Sequence, residues 1–191
     1  MRSSSHYSIF LRAKPRRNSL SFQPSKMGKK KGSQPKPAPT CSRMYPSLHQ
    51  DVADAVSEHI TDLEFHKDDS DKDISKRYST YVMGFFNCYT PTCSTQGWFS
   101  GRVTILIRRY RDGGYNAVVF KQRCEECNWL GKLAMDKSSY VGRVQYRLLK
   151  WAGVVLERPI YRSKKSPPHK AHLCEGCKKG ICRAVSIQNR Y

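Results

Sequence analysis

Residues 103–127 read VTILIRRYRDGGYNAVVFKQRCEEC, and the fold class turns on this stretch. Val103 to Tyr110 and Tyr115 to Phe120 are dense in β-branched and aromatic residues, the types that suit a pleated, half-buried surface. Between them Arg111-Asp112-Gly113-Gly114 supplies turn chemistry, because glycine accepts the positive φ that a tight reversal needs. The stretch therefore predicts a β-hairpin whose returning arm runs into Cys124 and Cys127. Upstream, Tyr78, Tyr81, Val82, Phe85 and Phe86 predict another strand, which leads into Cys88 and Cys93.

Helices are predicted on either side. Ser47 stands as an N-cap with Gln50 as its capping-box partner, and Leu48, Val52, Ala55, Val56, Ile60 and Leu63 follow at helical spacing. The other face of that helix is acidic, and the run Asp68 to Asp73 reads as a solvated loop without EF-hand spacing. A second amphipathic helix starts at Ser138 or Ser139 and carries Val141, Val144, Leu148, Leu149 and Ala152. The class is α+β: a small antiparallel sheet with two flanking helices. At 191 residues one core is expected, and the longest apolar runs fall far short of a membrane span.

The chain holds eight cysteines. Its first 25 residues lack the apolar core of a secretory signal, which implies a reducing compartment and favours metal over disulfides. With Cys41 assigned to an N-terminal arm, seven remain: Cys88 and Cys93, Cys124 and Cys127, then Cys174, Cys177 and Cys182. Two tetrahedral zinc sites need eight ligands, so a histidine must complete the set, and His169 and His172 are the candidates. A chain that leaves Cys93, follows the hairpin out and returns at Cys124 ends beside its start. Both pairs then face one metal, as in a zinc ribbon. The second site is His169, Cys174, Cys177 and Cys182. A grouping of Cys124 and Cys127 with Cys174 and Cys177 has equally acceptable spacing. Either way the expectation is two Zn²⁺ per chain, bound structurally, because sites filled mostly by sulfur leave no open position for catalysis. The deaminase signature H-x-E with P-C-x-x-C is absent. Neither an enzyme activity nor a small-molecule substrate is expected.

Charge is distributed unevenly. The net charge is +20; residues 1–50 carry eleven basic groups and no acid, residues 51–75 carry −7, and residues 76–191 carry +16. A field of that sign attracts polyanions, nucleic acid foremost, with an anionic membrane or an acidic protein behind it. Arg108, Arg109 and Arg111, Lys121 and Arg123, and Arg143 and Arg147 flank aromatic residues, the combination of phosphate contact and stacking platform that single strands require. The Tyr161-Arg162 and Lys164-Lys165 pairs add to it. Residues 1–44 form a basic, Ser/Pro-rich arm expected to be disordered. Residues 45–75 hold the acidic helix and loop, residues 76–185 the zinc-binding domain, and residues 186–191 a tail. The expected location is intracellular, cytoplasmic or nuclear. Lys26 to Lys31 suit nuclear import or nucleic-acid contact, whereas the Arg- and Ser-rich start has the composition of a mitochondrial address. Met27 is a second candidate start.

Phe86-x-Cys88, Cys93, Trp98-x-Ser100, Gln122-Arg123-Cys124-x-x-Cys127, Pro168-His169 and Cys174-Glu175-Gly176-Cys177-Lys178-x-Gly180-x-Cys182 resemble the 3CxxC-type zinc-finger family. That family includes receptor-transporting proteins, zygote-arrest proteins and many fungal proteins. The strings Tyr115-Asn116-Ala117 and Tyr140 to Trp151 are most similar to the fungal members. The resemblance implies that His169, which follows a proline, is the histidine ligand. It also implies RNA binding, as in the zygote-arrest proteins, or alternatively a protein-interaction or membrane-protein trafficking adapter, as in the receptor-transporting proteins. The C-x4-C spacing of Cys88 and Cys93 departs from the family's usual C-x2-C.

Overall fold

The computed structural model describes residues 40–157 and 168–184. The N-terminal arm up to residue 39, with Lys26 to Lys31 and Met27, lies outside them, as do the Tyr161 to Lys165 basic run and the 186–191 tail.

Five strands form one antiparallel sheet: β1 (Ser42–Met44), β2 (Ile74–Asn87), β3 (Gly97–Tyr110), β4 (Tyr115–Phe120) and β5 (Lys132–Met135). Their spatial order is β1-β4-β3-β2-β5. The predicted hairpin is β3–β4, paired from Ile105↔Val119 to Arg109↔Tyr115. Gly113 takes φ 93° at its turn, a conformation that would strain a side chain. All six residues of β4 are buried, because β1 and β3 flank it and both faces are covered. Strand β2 pairs with β3 along nearly its full length, with register shifts at Ile74/Lys76 and Val82/Gly84.

Two strands were not legible. Ser42–Met44 falls inside the expected disordered arm, yet it pairs with Val118 to Phe120. Three residues are too few to show alternation, and the pairing comes from the edge that β4 offers. Lys132–Met135 pairs with Gly84 to Asn87 and is equally short.

The main core lies between one sheet face and two helices, α1 (His49–Val56) and α2 (Lys137–Trp151). Val82, Phe86, Val103, Ile105, Ile107, Tyr115 and Val119 from the sheet meet Val52 and Val56 of α1 and Tyr140, Val144, Leu148 and Leu149 of α2. Burying side chains of this size contributes roughly 1.5–3 kcal/mol each. Helix α2 starts where Asp136 accepts a hydrogen bond from the Ser139 N–H at 2.7 Å. Ser139 Oγ in turn accepts from the Met83 N–H, which ties the helix to the irregular part of β2. The expected cap of α1 does not form. A 3-10 turn, Pro46–Leu48, precedes the helix, Leu48 is its N-cap without a side-chain bond, and Gln50 donates to Asp54 instead. Proline at the start of the turn makes the 3-10 entry the easier one, so Ser47 is left outside. The helix ends at Val56, and Asp62 at φ 54° marks the reversal that brings Leu63 back to the core and Phe65 beside Tyr115.

On the opposite sheet face a smaller cluster joins Leu106, Val118 and Phe120 with Met44 and Ile181. The acidic loop folds against this side, with Asp69 and Asp71 each 2.8 Å from the buried Arg108. Tyr110 donates to the Ser70 carbonyl at 2.8 Å, and Asn116 Nδ2 donates to the Asp68 carbonyl and to Tyr110 Oη. Far from being simply solvated, the loop neutralises a cation that the sheet buries.

Candidate metal centres and basic surface

Two clusters each bring four ligand atoms within 4.8 Å of one another: Cys88, Cys93, Cys124 and Cys127, and His169, Cys174, Cys177 and Cys182. In the first, Cys88 Sγ lies 3.5 Å from Cys127 Sγ and Cys93 Sγ 3.6 Å from Cys124 Sγ. A tetrahedron with zinc–sulfur bonds of about 2.3 Å has edges of about 3.8 Å, so the spacing fits zinc. In the second, His169 Nε2 lies 3.2 Å from Cys177 Sγ and 3.6 Å from Cys182 Sγ. His172 is exposed and stands outside both clusters. The hairpin grouping is therefore the one the fold adopts, and the alternative pairing of Cys124 with Cys174 is not.

The first centre sits at the end of the sheet. Cys88 and Cys93 occupy the β2–β3 connection, and Cys124 and Cys127 the β4–β5 connection. The long C-x4-C loop is fixed by a residue that motif reading passes over: Glu126. Its carboxylate accepts from the N–H groups of Ser94 and Thr95, both at 3.0 Å, and from their hydroxyls at 2.7 and 2.8 Å. The Ser94 bonds first, then Thr95, pull its pKa down to about 2. The Cys127 thiol is lowered to about 6, first by the Thr90 hydroxyl and then by the Trp129 N–H. Donors aimed at sulfur favour the thiolate that a metal requires.

The second centre is built by a local loop laid against the sheet. Cys174 forms an isolated antiparallel bridge with Gln122, and a short helix, α3 (Glu175–Lys178), follows it. Gly176 is required: a Cβ there would come within 2.7 Å of the Thr104 side chain. Thr104 Oγ1 lies 3.5 Å from Cys174 Sγ, and Tyr81 Oη 3.4 Å from Cys182 Sγ. The Cys174 thiol is raised, first by its bond with Cys182 and then by burial, whereas Cys182 is lowered through that same bond. Within such a pair one sulfur keeps the proton until a cation displaces it.

Charged pairs cross between the centres. Arg123 Nε donates to Glu175 Oε1 at 2.6 Å, and Lys170 pairs with Glu125. Lys178 also reaches Glu175, at 3.1 Å.

The seven cations singled out as nucleic-acid contacts take different positions. Arg108 does not reach the surface, because it is buried between Asp69, Asp71 and Asn116, so its role as a contact is corrected to an internal one. Arg123 is half-buried in its pair with Glu175. Arg109 is partly buried, and desolvation lowers its pKa. Lys121 is lowered by burial and then by Arg43. Arg111 is exposed, and Arg143 lies half-buried on α2. Arg147 lies 3.1 Å over the Tyr78 ring.

Residues 81–180, just over half the chain, match the 3CxxC zinc-ribbon family, described as a zinc-binding domain. No curated protein and no solved structure matches the chain. The family and the two donor sets together fit two Zn²⁺ ions.

Proposed function

The chain belongs to the 3CxxC zinc-ribbon family of zinc-binding domains, and from that premise we propose a non-catalytic module that binds single-stranded RNA through basic and aromatic surface groups. The observation that carries this is the crowding of two guanidiniums on one ring. Arg147 lies over Tyr78, and Arg183 stands 5.4 Å from the same ring while donating to its hydroxyl at 2.9 Å. Burial, and further down the scale Arg183, depress the Arg147 pKa against the stabilising ring. Neither arginine forms an ion pair with an acid among the described residues. A phosphate would supply the missing anion, and the +16 carried by residues 76–191 supplies the long-range attraction.

The test is affinity for a single-stranded RNA measured against salt. Phosphate contacts release counterions, so a steep fall is expected, and a flat dependence would rule the function out. A second function is favoured by a separate feature. Phe85, Tyr89 and Trp129 are 44, 66 and 57% exposed, and Tyr89 and Trp129 adjoin ligands of the first centre. Exposed aromatics of this kind suit a protein-interaction or trafficking adapter, which predicts salt-tolerant retention of one specific protein by the full chain. No described helix is long and apolar enough to cross a membrane.

A further inference from the structure

Between the two metal centres lies a cleft of about 180 Å³. Topology creates it. Strand β4 pairs with β3 only as far as Ile105, then diverges toward Cys124, so from Trp98 to Arg102 the side of β3 that faces away from β2 has no strand beside it among the described residues. Gln122, 9% exposed, spans the gap: its Nε2 donates to Ser100 Oγ and to the Arg102 carbonyl, both at 3.0 Å, and its Oε1 accepts from Trp98 Nε1 at 3.3 Å. Leu173, in the segment that leads into the second centre, lines the cleft as well.

The chemistry of this cleft is specific. Trp98, stacked on Phe86 at 5.1 Å and 14°, joins Phe99 and Leu173 in an apolar lining. Ser100 is 8% exposed and already accepts from Gln122 and, at 3.3 Å, from the Arg102 N–H, which leaves its own hydroxyl hydrogen to donate. Gln122 Oε1 keeps one lone pair beyond the Trp98 bond. A buried donor and a buried acceptor thus lie beside aromatic walls. Arg102 is exposed and in no ion pair among the described residues, whereas Arg123 and Lys170 are already matched by Glu175 and Glu125.

We infer that this cleft receives one unpaired nucleobase of a single-stranded RNA, with the adjoining phosphate on Arg102. Its volume is well below the roughly 300–1,000 Å³ that encloses a drug-sized molecule and suits one flat heterocycle. A donor and acceptor against aromatic walls are what the edge and face of an unstacked base need. The inference rests on the RNA-binding function above and adds the place where a base is held.

The experiment uses the full, zinc-loaded chain and a uridine-rich single strand carrying 4-thiouridine, irradiated and mapped by mass spectrometry. Crosslinks within residues 98–102 or 168–173 are expected. Arg102→Glu should lower affinity about tenfold and remove them, while Lys137→Glu, on α2, keeps them. Zinc content must be equal in all three proteins. Crosslinks confined to other segments, with Arg102→Glu binding normally, would overturn the cleft and leave RNA binding standing. No binding at any salt concentration would remove both. Displacement of the strand by uridine monophosphate as readily as by unlabelled strand would make the cleft a free-nucleotide site and end the assignment to RNA. If Arg102→Glu abolishes capture of a protein and leaves RNA binding unchanged, the cleft is a protein site and the base assignment fails.

Discussion

Arg123 and Glu175, 52 residues apart in sequence, meet at 2.6 Å, and each adjoins a ligand of a different metal centre. Arg123 precedes Cys124, and Glu175 follows Cys174. The Arg123 backbone N–H also donates to the Leu173 carbonyl at 2.8 Å, so loss of the second centre would pull directly on the first. Chelator titration should therefore remove both zinc ions in one transition. Arg123→Ala leaves the nearly buried Glu175 with only Lys178, should cost about 2 kcal/mol, and should split the release into two steps. A single unchanged transition in the variant would show that the Arg123–Glu175 pair is not what couples the centres.

His169→Ala and His172→Ala should behave oppositely. The first removes a ligand of the second centre, so metal analysis should find at least one zinc fewer and cobalt substitution should lose its three-sulfur, one-nitrogen spectrum. The second should keep both ions. Cys174→Ser with Cys177→Ser should match His169→Ala in zinc content, and retention of two ions would break the ligand assignment.

Glu126→Gln tests the loop of the first centre. The amide keeps the shape but loses the charge that draws four hydrogen bonds from Ser94 and Thr95. Metal should leave the Cys88–Cys127 centre faster, with the rate at the second centre much less affected, as followed by stopped-flow chelation. Equal acceleration at both would place the role of Glu126 elsewhere.

Arg108→Ala should cost about 2–3 kcal/mol, less than a fully buried pair because Asp69 and Asp71 remain partly in water. Limited proteolysis should then cut within residues 67–73. Its RNA affinity should fall no further than stability explains. A specific loss of binding with the fold intact would return Arg108 to the interface.

Tyr140 has a buried hydroxyl without a hydrogen-bond partner among the described residues, and Tyr115 is buried beside it in the core. Tyr140→Phe should leave stability unchanged or raise it by about 1 kcal/mol in denaturant titration. Burial holds both phenols above the ordinary 10.0, so the unfolded chain gives up those protons first. Their contribution is whole below pH 10 and declines as pH climbs beyond it. The wild type should therefore lose stability more steeply than Tyr140→Phe between pH 9 and 11.

Much of this architecture can be read from residue patterns. The hairpin was legible because β-formers flank Asp112-Gly113-Gly114, and its return path predicts which cysteines share a metal. Helix α2 was legible from its apolar period, although its cap is Asp136 and not a serine. What stayed hidden depends on distant partners. Ser42–Met44 is a strand only because β4 exposes an edge, and Arg108 is internal only because an acidic loop arrives from outside the sheet. Neither relation leaves a local periodicity. Charge next to an aromatic residue does not distinguish a cation that faces solvent from one that is already paired.

Register also sets an order of assembly during synthesis. Ser42 has no partner until Phe120 is made, and Cys88 must wait for Cys127 before its centre can close. Residues 169–182 come later still, after α2 can already cover the core. On a ribosome, at roughly 5–20 residues per second, the sheet can thus close around the first ion seconds before the second centre exists. A nascent chain stalled before Cys174 would present the ribbon half-fastened, with Thr104 and Tyr81 uncovered and waiting for the last loop.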